Sequence, residues 1–180
     1  SMMPDKRAVS GLKAIRSSSD LAINGAKAAF SEVLHVGRPN IGDREQFLRL
    51  AGEMFDRRWL SNNGPLLQEF EQRIASYLGV KHCIAMCNGT IALEIAIRAL
   101  GMTGEVIIPS YTFVATAHAL HWQGITPVFA DIDPHTHNLD PDSVRRMVTT
   151  RTTGIIGVHL WGNPAPVEAL QAIADEHGLQ

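Results

Sequence analysis

The chain has 180 residues, 45% of them hydrophobic and 19% charged, with a mean hydropathy of zero, which excludes disordered, collagen-like and disulfide-scaffold classes and suits a soluble α/β chain. Sixteen basic against eighteen acidic side chains give a formal net charge of -2, so no field attracts nucleic acid or an anionic membrane. The longest uncharged stretch, Val106 to Ala130, is interrupted by two prolines and a glycine and lacks the roughly 18 unbroken apolar residues of a membrane span.

Residues 1–33 are polar and small, with the run Ser17-Ser18-Ser19, and are expected to form a mobile N-terminal arm carrying one helix near Leu21 to Phe30. From Asp43, a good helix cap, Phe47, Leu50, Ala51, Met54 and Phe55 fall at helical spacing to about Arg58. The turn cluster Ser61-Asn62-Asn63-Gly64-Pro65 then places proline at the first position of a second helix, predicted to turn Phe70, Ile74 and Leu78 inward and to close at Gly79. Four short apolar runs follow as candidate buried strands: His82 to Cys87, Glu105 to Ile108, Pro127 to Ile132 and Gly154 to Leu160. Helical patterns separate or follow them at Thr90 to Leu100, Thr112 to Trp122, Pro141 to Met147 and Pro164 to His177. This alternation predicts right-handed crossovers, hence an α/β fold with a mostly parallel sheet and helices on both faces. Cys83 and Cys87 are the two cysteines; on an extended strand they lie about 13 Å apart, too far to bridge. Such usage, with no basic flank before an apolar run at the N-terminus, points to a reducing cytoplasm.

Ligands of open parallel sheets bind where strands end and helices begin, so the four strand-to-helix junctions are the candidate sites. At the first, Asn88-Gly89-Thr90 opens a helix whose first amides lack intrahelical partners. Those amides, the Thr90 hydroxyl and the helix dipole can hold a phosphate that Gly89 lets approach closely; the same residues serve equally well as a plain helix cap. No Gly-x-Gly-x-x-Gly and no P-loop follows any strand. The second junction, Pro109-Ser110-Tyr111-Thr112-Phe113, offers rings that can stack on a flat heterocycle or simply fill the core. A phosphate cradle and a stacking ring on adjacent strands suit a phosphorylated aromatic cofactor. At the third, Asp131, Asp133, His135 and His137 are of ligand type, but a strand-closing Asp-x-Asp-Pro and a cap at Asp140 account for the run better, so no metal is expected; His118 and His121 lack a third ligand. At the fourth, His159 is either a donor to the site or a satisfied strand-end histidine.

Five stretches together resemble the DegT/DnrJ/EryC1/StrS aminotransferases: Val36-Gly37-Arg38-Pro39-Asn40-Ile41, Trp59-Leu60-Ser61-Asn62-Asn63-Gly64-Pro65, Asn88-Gly89-Thr90-Ile91-Ala92-Leu93, Glu105 through Thr116, and Val158-His159-Leu160-Trp161-Gly162. The resemblance implies a pyridoxal-phosphate enzyme of the type I aminotransferase fold, with residues 34–180 as the N-terminal part of its large domain. It implies that Asn88, Gly89 and Thr90 hold the cofactor phosphate and Phe113 stacks on the pyridine ring. Asn63, Gly64 and His159 are expected on the substrate side, in an active site shared within a homodimer. The implied reaction moves an amino group from glutamate to a nucleotide-linked keto-deoxysugar. The alternatives are a pyridoxal-phosphate sugar dehydratase on the same scaffold and a non-catalytic fragment or pseudoenzyme. The Schiff-base lysine and the aspartate that pairs with the pyridine nitrogen are expected beyond Gln180, since Lys6, Lys13, Lys27 and Lys81 are the lysines present and none occupies the family position. No catalytic residue is therefore assigned within the chain, which is read as the N-terminal part of an enzyme and inactive alone.

Overall fold

A computed structural model describes residues 15–30, 32, 33, 35, 37 and 39–180. The chain divides after Ser61 into two compact units. Among the described residues of the first, Ser18–Asp20 and Ala22–Asn24 form single 3-10 turns. The helix expected over Leu21 to Phe30 does not form: Gly25, at φ 94°, closes the second turn with its amide on the Ala22 carbonyl. Helix α1 (Arg44–Asp56) begins as predicted at Asp43, whose carboxylate accepts from the Gln46 amide at 2.9 Å. Of the Val36 to Ile41 stretch, Val36 and Arg38 lie outside the described residues, as do residues 1–14 and 31 of the expected arm.

In the second unit, α2 (Pro65–Leu78) starts on its proline and ends at Gly79 in the left-handed region, as the punctuation predicts. Its expected inward face is a correction: Phe70 and Leu78 are exposed and only Ile74 is half-buried. Amphipathic spacing marks a face that can be buried; burial needs a neighbour, and among the described residues α2 finds little beyond a hydrogen bond from the Ala85 amide to the Glu71 carboxylate at 2.8 Å.

The sheet holds β1 (Glu105–Pro109), β2 (Thr126–Ala130) and β3 (Thr152–Ile155), all parallel, in the order β2-β1-β3. The first of the four expected strands, His82 to Cys87, pairs with no strand among the described residues and leaves Ile84 exposed. An apolar run reports a wish for burial, whereas a strand needs a partner ladder, and here the Ala85 amide is taken by Glu71. The predicted strand from Gly154 to Leu160 starts two residues earlier and gives way after Ile155, although the Ile156 amide still reaches the Ile107 carbonyl at 2.9 Å.

Strand β1 is central and buried along its whole length, so it reads as a continuous apolar run rather than an alternating one. Its pleat feeds two cores. Val106 and Ile108 pack with Ile97, Ala119, Leu120 and Ile125 under α3 (Gly89–Ala99) and α4 (Ala115–His121). Ile107 packs on the opposite face with Leu139, Val144, Leu170 and Ile173 under α5 (Pro141–Met147) and α6 (Val167–His177). Right-handed crossovers running in opposite directions along a sheet put their helices on opposite faces, which the step from β1 out to β2 and back across to β3 requires. The expected α/β architecture with helices on both faces is present.

At the N-terminal edge of the sheet, Glu105 is buried, accepts from the Thr149 hydroxyl at 2.6 Å and pairs with Arg151. The Thr149 hydrogen bond, joined by Arg151, holds its carboxyl below the ordinary glutamate range despite desolvation. Beside it Gly104, at φ +58°, brings its Cα so close to the chain that a Cβ would lie 2.7 Å from the Arg151 carbonyl oxygen. That carbonyl also accepts the Glu105 amide at 3.0 Å, so the corner joins β1 to the approach of β3. No helix among the described residues is long and apolar enough to cross a membrane.

Candidate functional site

The order β2-β1-β3 reverses the direction of chain progress at β1, and in open α/β sheets the crevice beyond the carboxyl ends of the strands at such a reversal is where ligands bind. Helix α3 ends at Ala99 and feeds within a few residues into the amino end of β1. It therefore runs antiparallel to that strand and directs its own N-terminus toward the carboxyl edge, where Ser110 to Phe113 leave β1.

That N-terminus has a divided economy of donors. The Asn88 side chain accepts from the Ile91 amide at 2.9 Å, so the cap reading of the sequence is realised for one amide. The Gly89 and Thr90 amides and the Thr90 hydroxyl find no protein partner among the described residues. Space is available in front of them: a Cβ added at Gly89 would meet no atom within 4 Å, and Gly89 does not sit in the left-handed region. Neither backbone conformation nor packing thus demands glycine there. Two free amides at the positive end of an 11-residue helix, with open space before them, match the donor set a phosphate group takes up.

Phe113 leaves the same edge with 76% of its surface exposed, far more than a core phenylalanine shows. The core reading of that ring, left open by the sequence, is therefore wrong for Phe113, while its neighbour Thr112 is tied to Thr116 at the start of α4. The helix expected from Thr112 begins at Ala115, which leaves Phe113 in the strand-to-helix turn. These residues fit a phosphorylated planar cofactor.

The remaining candidates are placed less centrally. Asn63, at φ 55°, and Gly64, the residue before α2, form a turn whose hydrogen bonds are local, with the Gln68 amide group donating to the Asn63 carbonyl at 3.0 Å. His159 accepts the Ala165 amide on Nδ1 at 2.9 Å, which assigns the proton of the neutral ring to Nε2. It lines a cleft with Ile155, Gly157, Ala165 and Leu170 between the end of β3 and α6, and none of Gly89, Thr90 or Phe113 lines that cleft. At the third junction Asp133 accepts the His135 and Thr136 amides, the latter at 2.7 Å, and these backbone hydrogen bonds lower its pKa. Asp131 and Asp140 are joined through their backbones, and Asp140 caps α5. Among the described residues no three His, Cys, Asp or Glu side chains gather as a metal site.

Sequence reasoning missed Asn138. It is 2% exposed, donates from Nδ2 to the Asn163 and Pro164 carbonyls at 3.2 and 2.9 Å, and accepts the Leu160 amide on Oδ1 at 3.3 Å. No local pattern distinguishes it from a turn asparagine, because the partners of its side chain all lie more than twenty residues away.

A sequence model of the DegT/DnrJ/EryC1/StrS aminotransferase family matches residues 42–180. The chain belongs to that family. It is 40% identical over 149 residues to the dTDP-4-amino-4,6-dideoxy-D-glucose transaminase of Escherichia coli, a match covering 83% of this chain and 40% of that protein. Among solved structures it is similar to DesI in the presence of its TDP-sugar product, with a TM-score of 0.80, 54% identity, and coverage of 91% of this chain and 42% of the other. It is also similar to NtdA from Bacillus subtilis with bound cofactor PMP, with a TM-score of 0.73, 33% identity, and coverage of 76% and 32%. The chain thus spans about a third to two fifths of the length of these family members. Over that span the likeness at these identities carries the aminotransferase fold, in agreement with the expected fold class.

Proposed function

We propose that this chain supplies the phosphate cradle and ring-stacking face of a pyridoxal-phosphate-dependent aminotransferase acting on a nucleotide-linked keto-deoxysugar, with glutamate as amino donor. The observation that carries the reading is the pair of unpartnered amides at Gly89 and Thr90, opening α3 toward the edge from which the bare Phe113 ring emerges. Pyridoxal phosphate, when bound, carries the amino group between donor and acceptor. The chain's residues do the holding. The Gly89 and Thr90 amides and the Thr90 hydroxyl donate to the phosphate, the α3 dipole favours its charge, and Asn88 keeps the first turn open by capping only Ile91. Phe113 covers one face of the ring and excludes water from it. Asn63, Gly64 and, through Nε2, His159 face the substrate.

Residues 34–180 are in this proposal the N-terminal part of the large cofactor-binding domain, preceded by the arm of residues 1–33, in a cytoplasmic homodimer. The test is direct: the full-length protein is dialysed against pyridoxal phosphate, its visible absorbance is recorded, and release of 2-oxoglutarate from glutamate is followed with a keto-sugar nucleotide. Specific retention and sugar-dependent release support the reading. Retention no better than that of inorganic phosphate overturns it.

A further inference from the structure

Three aromatic rings meet on the carboxyl edge of the sheet, one delivered from beyond each strand: Tyr111 after β1, His137 after β2 and Trp161 after β3. The Trp161 centroid lies 5.8 Å from Tyr111 and 5.4 Å from His137, and the Tyr111 to His137 distance is 6.2 Å; every pair is edge-to-face. This geometry is favourable among the rings themselves. It does not hide them, since Trp161 remains 75% and Tyr111 46% exposed.

The indole is held there against two costs. Trp161 has φ 53° and ψ 25°, a left-handed conformation that a bulky residue adopts only when its surroundings impose it, and such strain gathers at ligand sites. An exposed indole also forgoes the burial that makes tryptophan valuable. The imposing group is the buried Asn138, whose amide donates to the Asn163 and Pro164 carbonyls and accepts the Leu160 amide, gripping the Trp161 turn from both sides. Asn163 returns a hydrogen bond to the Thr136 carbonyl at 3.1 Å, so the turns bearing His137 and Trp161 move as one piece.

We propose that Tyr111, His137 and Trp161 form an aromatic corner that takes the C–H face of the substrate's pyranose ring, with Asn138 as the positioning residue that holds Trp161 in place. The inference rests on the sugar-nucleotide reading above and deepens it. The occupant is the sugar rather than the base. The carbon that exchanges its amino group must lie beside a cofactor ring stacked on Phe113, two residues from Tyr111, while the base is held off across a diphosphate. The indole offers a flat, electron-rich face to which ring C–H groups, with their slight positive charge, are attracted.

In the full-length holoenzyme, wild type, Trp161→Ala, Trp161→Phe and Asn138→Ala are titrated calorimetrically with TDP-, UDP- and GDP-glucose and with the matching nucleoside diphosphates. For the sugar nucleotide that wild type binds best, Trp161→Ala loses roughly three- to tenfold in affinity. Affinity for the diphosphate alone is unchanged, and Trp161→Phe recovers most of the loss. The change in indole emission on adding the sugar nucleotide, small or absent with the diphosphate, disappears in Trp161→Phe. Asn138→Ala, which keeps every ring, shows the same selective loss while its cofactor absorbance is retained. An unchanged affinity in Trp161→Ala, or an equal loss for the diphosphate alone, overturns the corner, and full sugar-nucleotide affinity in Asn138→Ala overturns the positioning role. Wild type that holds its cofactor yet binds none of the three sugar nucleotides overturns the substrate reading and the corner with it.

Discussion

Alanine at position 89 separates what the fold needs from what a ligand needs. Gly89 is the first residue of α3, lies outside the left-handed region, and has no atom within 4 Å of a built Cβ. The protein without cofactor should therefore accept the methyl group, and the narrower unfolded ensemble of alanine should stabilise it by about 0.4–1 kcal/mol. For a chain of this size that raises the melting temperature by about 1–4 °C. On the proposed reading, a phosphate drawn to the Gly89 and Thr90 amides would be crowded by the same methyl group. A single charge-assisted hydrogen bond pushed out of reach costs about 1.5–3 kcal/mol, equivalent to a roughly ten- to hundredfold weaker retention of pyridoxal phosphate. Melting of the apo protein by circular dichroism and equilibrium dialysis of the cofactor, run on the same preparations, should thus move in opposite directions. A lower melting temperature would show that glycine has a structural task there. Unaltered retention would show that no phosphate comes close, and either result refutes the reasoning.

Thr90→Ala removes one donor and leaves the cradle open, so cofactor retention should weaken by roughly 1–3 kcal/mol in the same dialysis, and unchanged retention removes Thr90 from the site. Glu105→Gln tests the N-terminal edge of the sheet. Because the folded pKa of Glu105 is lowered, its charge contributes stability above the unfolded value of about 4.3, and that contribution is lost as pH falls through the lower folded value. The difference between wild type and Glu105→Gln in urea midpoint should be constant near neutrality and shrink across that acidic window; a difference that grows on acidification contradicts the assignment. Gly104→Ala should destabilise by at least about 1–2 kcal/mol from the left-handed backbone alone, with the contact to the Arg151 carbonyl adding to it. Denaturant unfolding reads this directly, and a neutral result would mean that the corner joining β1 to β3 yields easily.

Much of the candidate site was legible because its parts are local. Asn88, Gly89 and Thr90 announce a helix start by residue type, and Pro109 to Phe113 announce the end of a buried strand. Which amides stay free is a different matter: Asn88 satisfies Ile91 and leaves Gly89 and Thr90, and only the folded geometry of the turn distinguishes these. The sequence marks His159 as a strand-end histidine, but its Nδ1 bond to Ala165 and its position in the cleft beside α6 depend on how the chain folds back after β3. Tyr111, His137 and Trp161 lie at three separate junctions, and nothing in their spacing tells that their rings touch.

From residue order alone followed the α/β class, the caps at Asp43, Pro65, Gly79 and Asp140, and the apolar run that becomes β1, since propensity, capping and periodicity act within a turn or two of the chain, while five motif stretches carried the resemblance to the family. Tertiary structure decided that His82 to Cys87 stays unpaired among the described residues, that the sheet runs β2-β1-β3, and that Asn138 clamps the Trp161 turn. Strand pairing and buried hydrogen bonds join residues far apart in sequence, and their energy exists only once chain closure has brought those partners together.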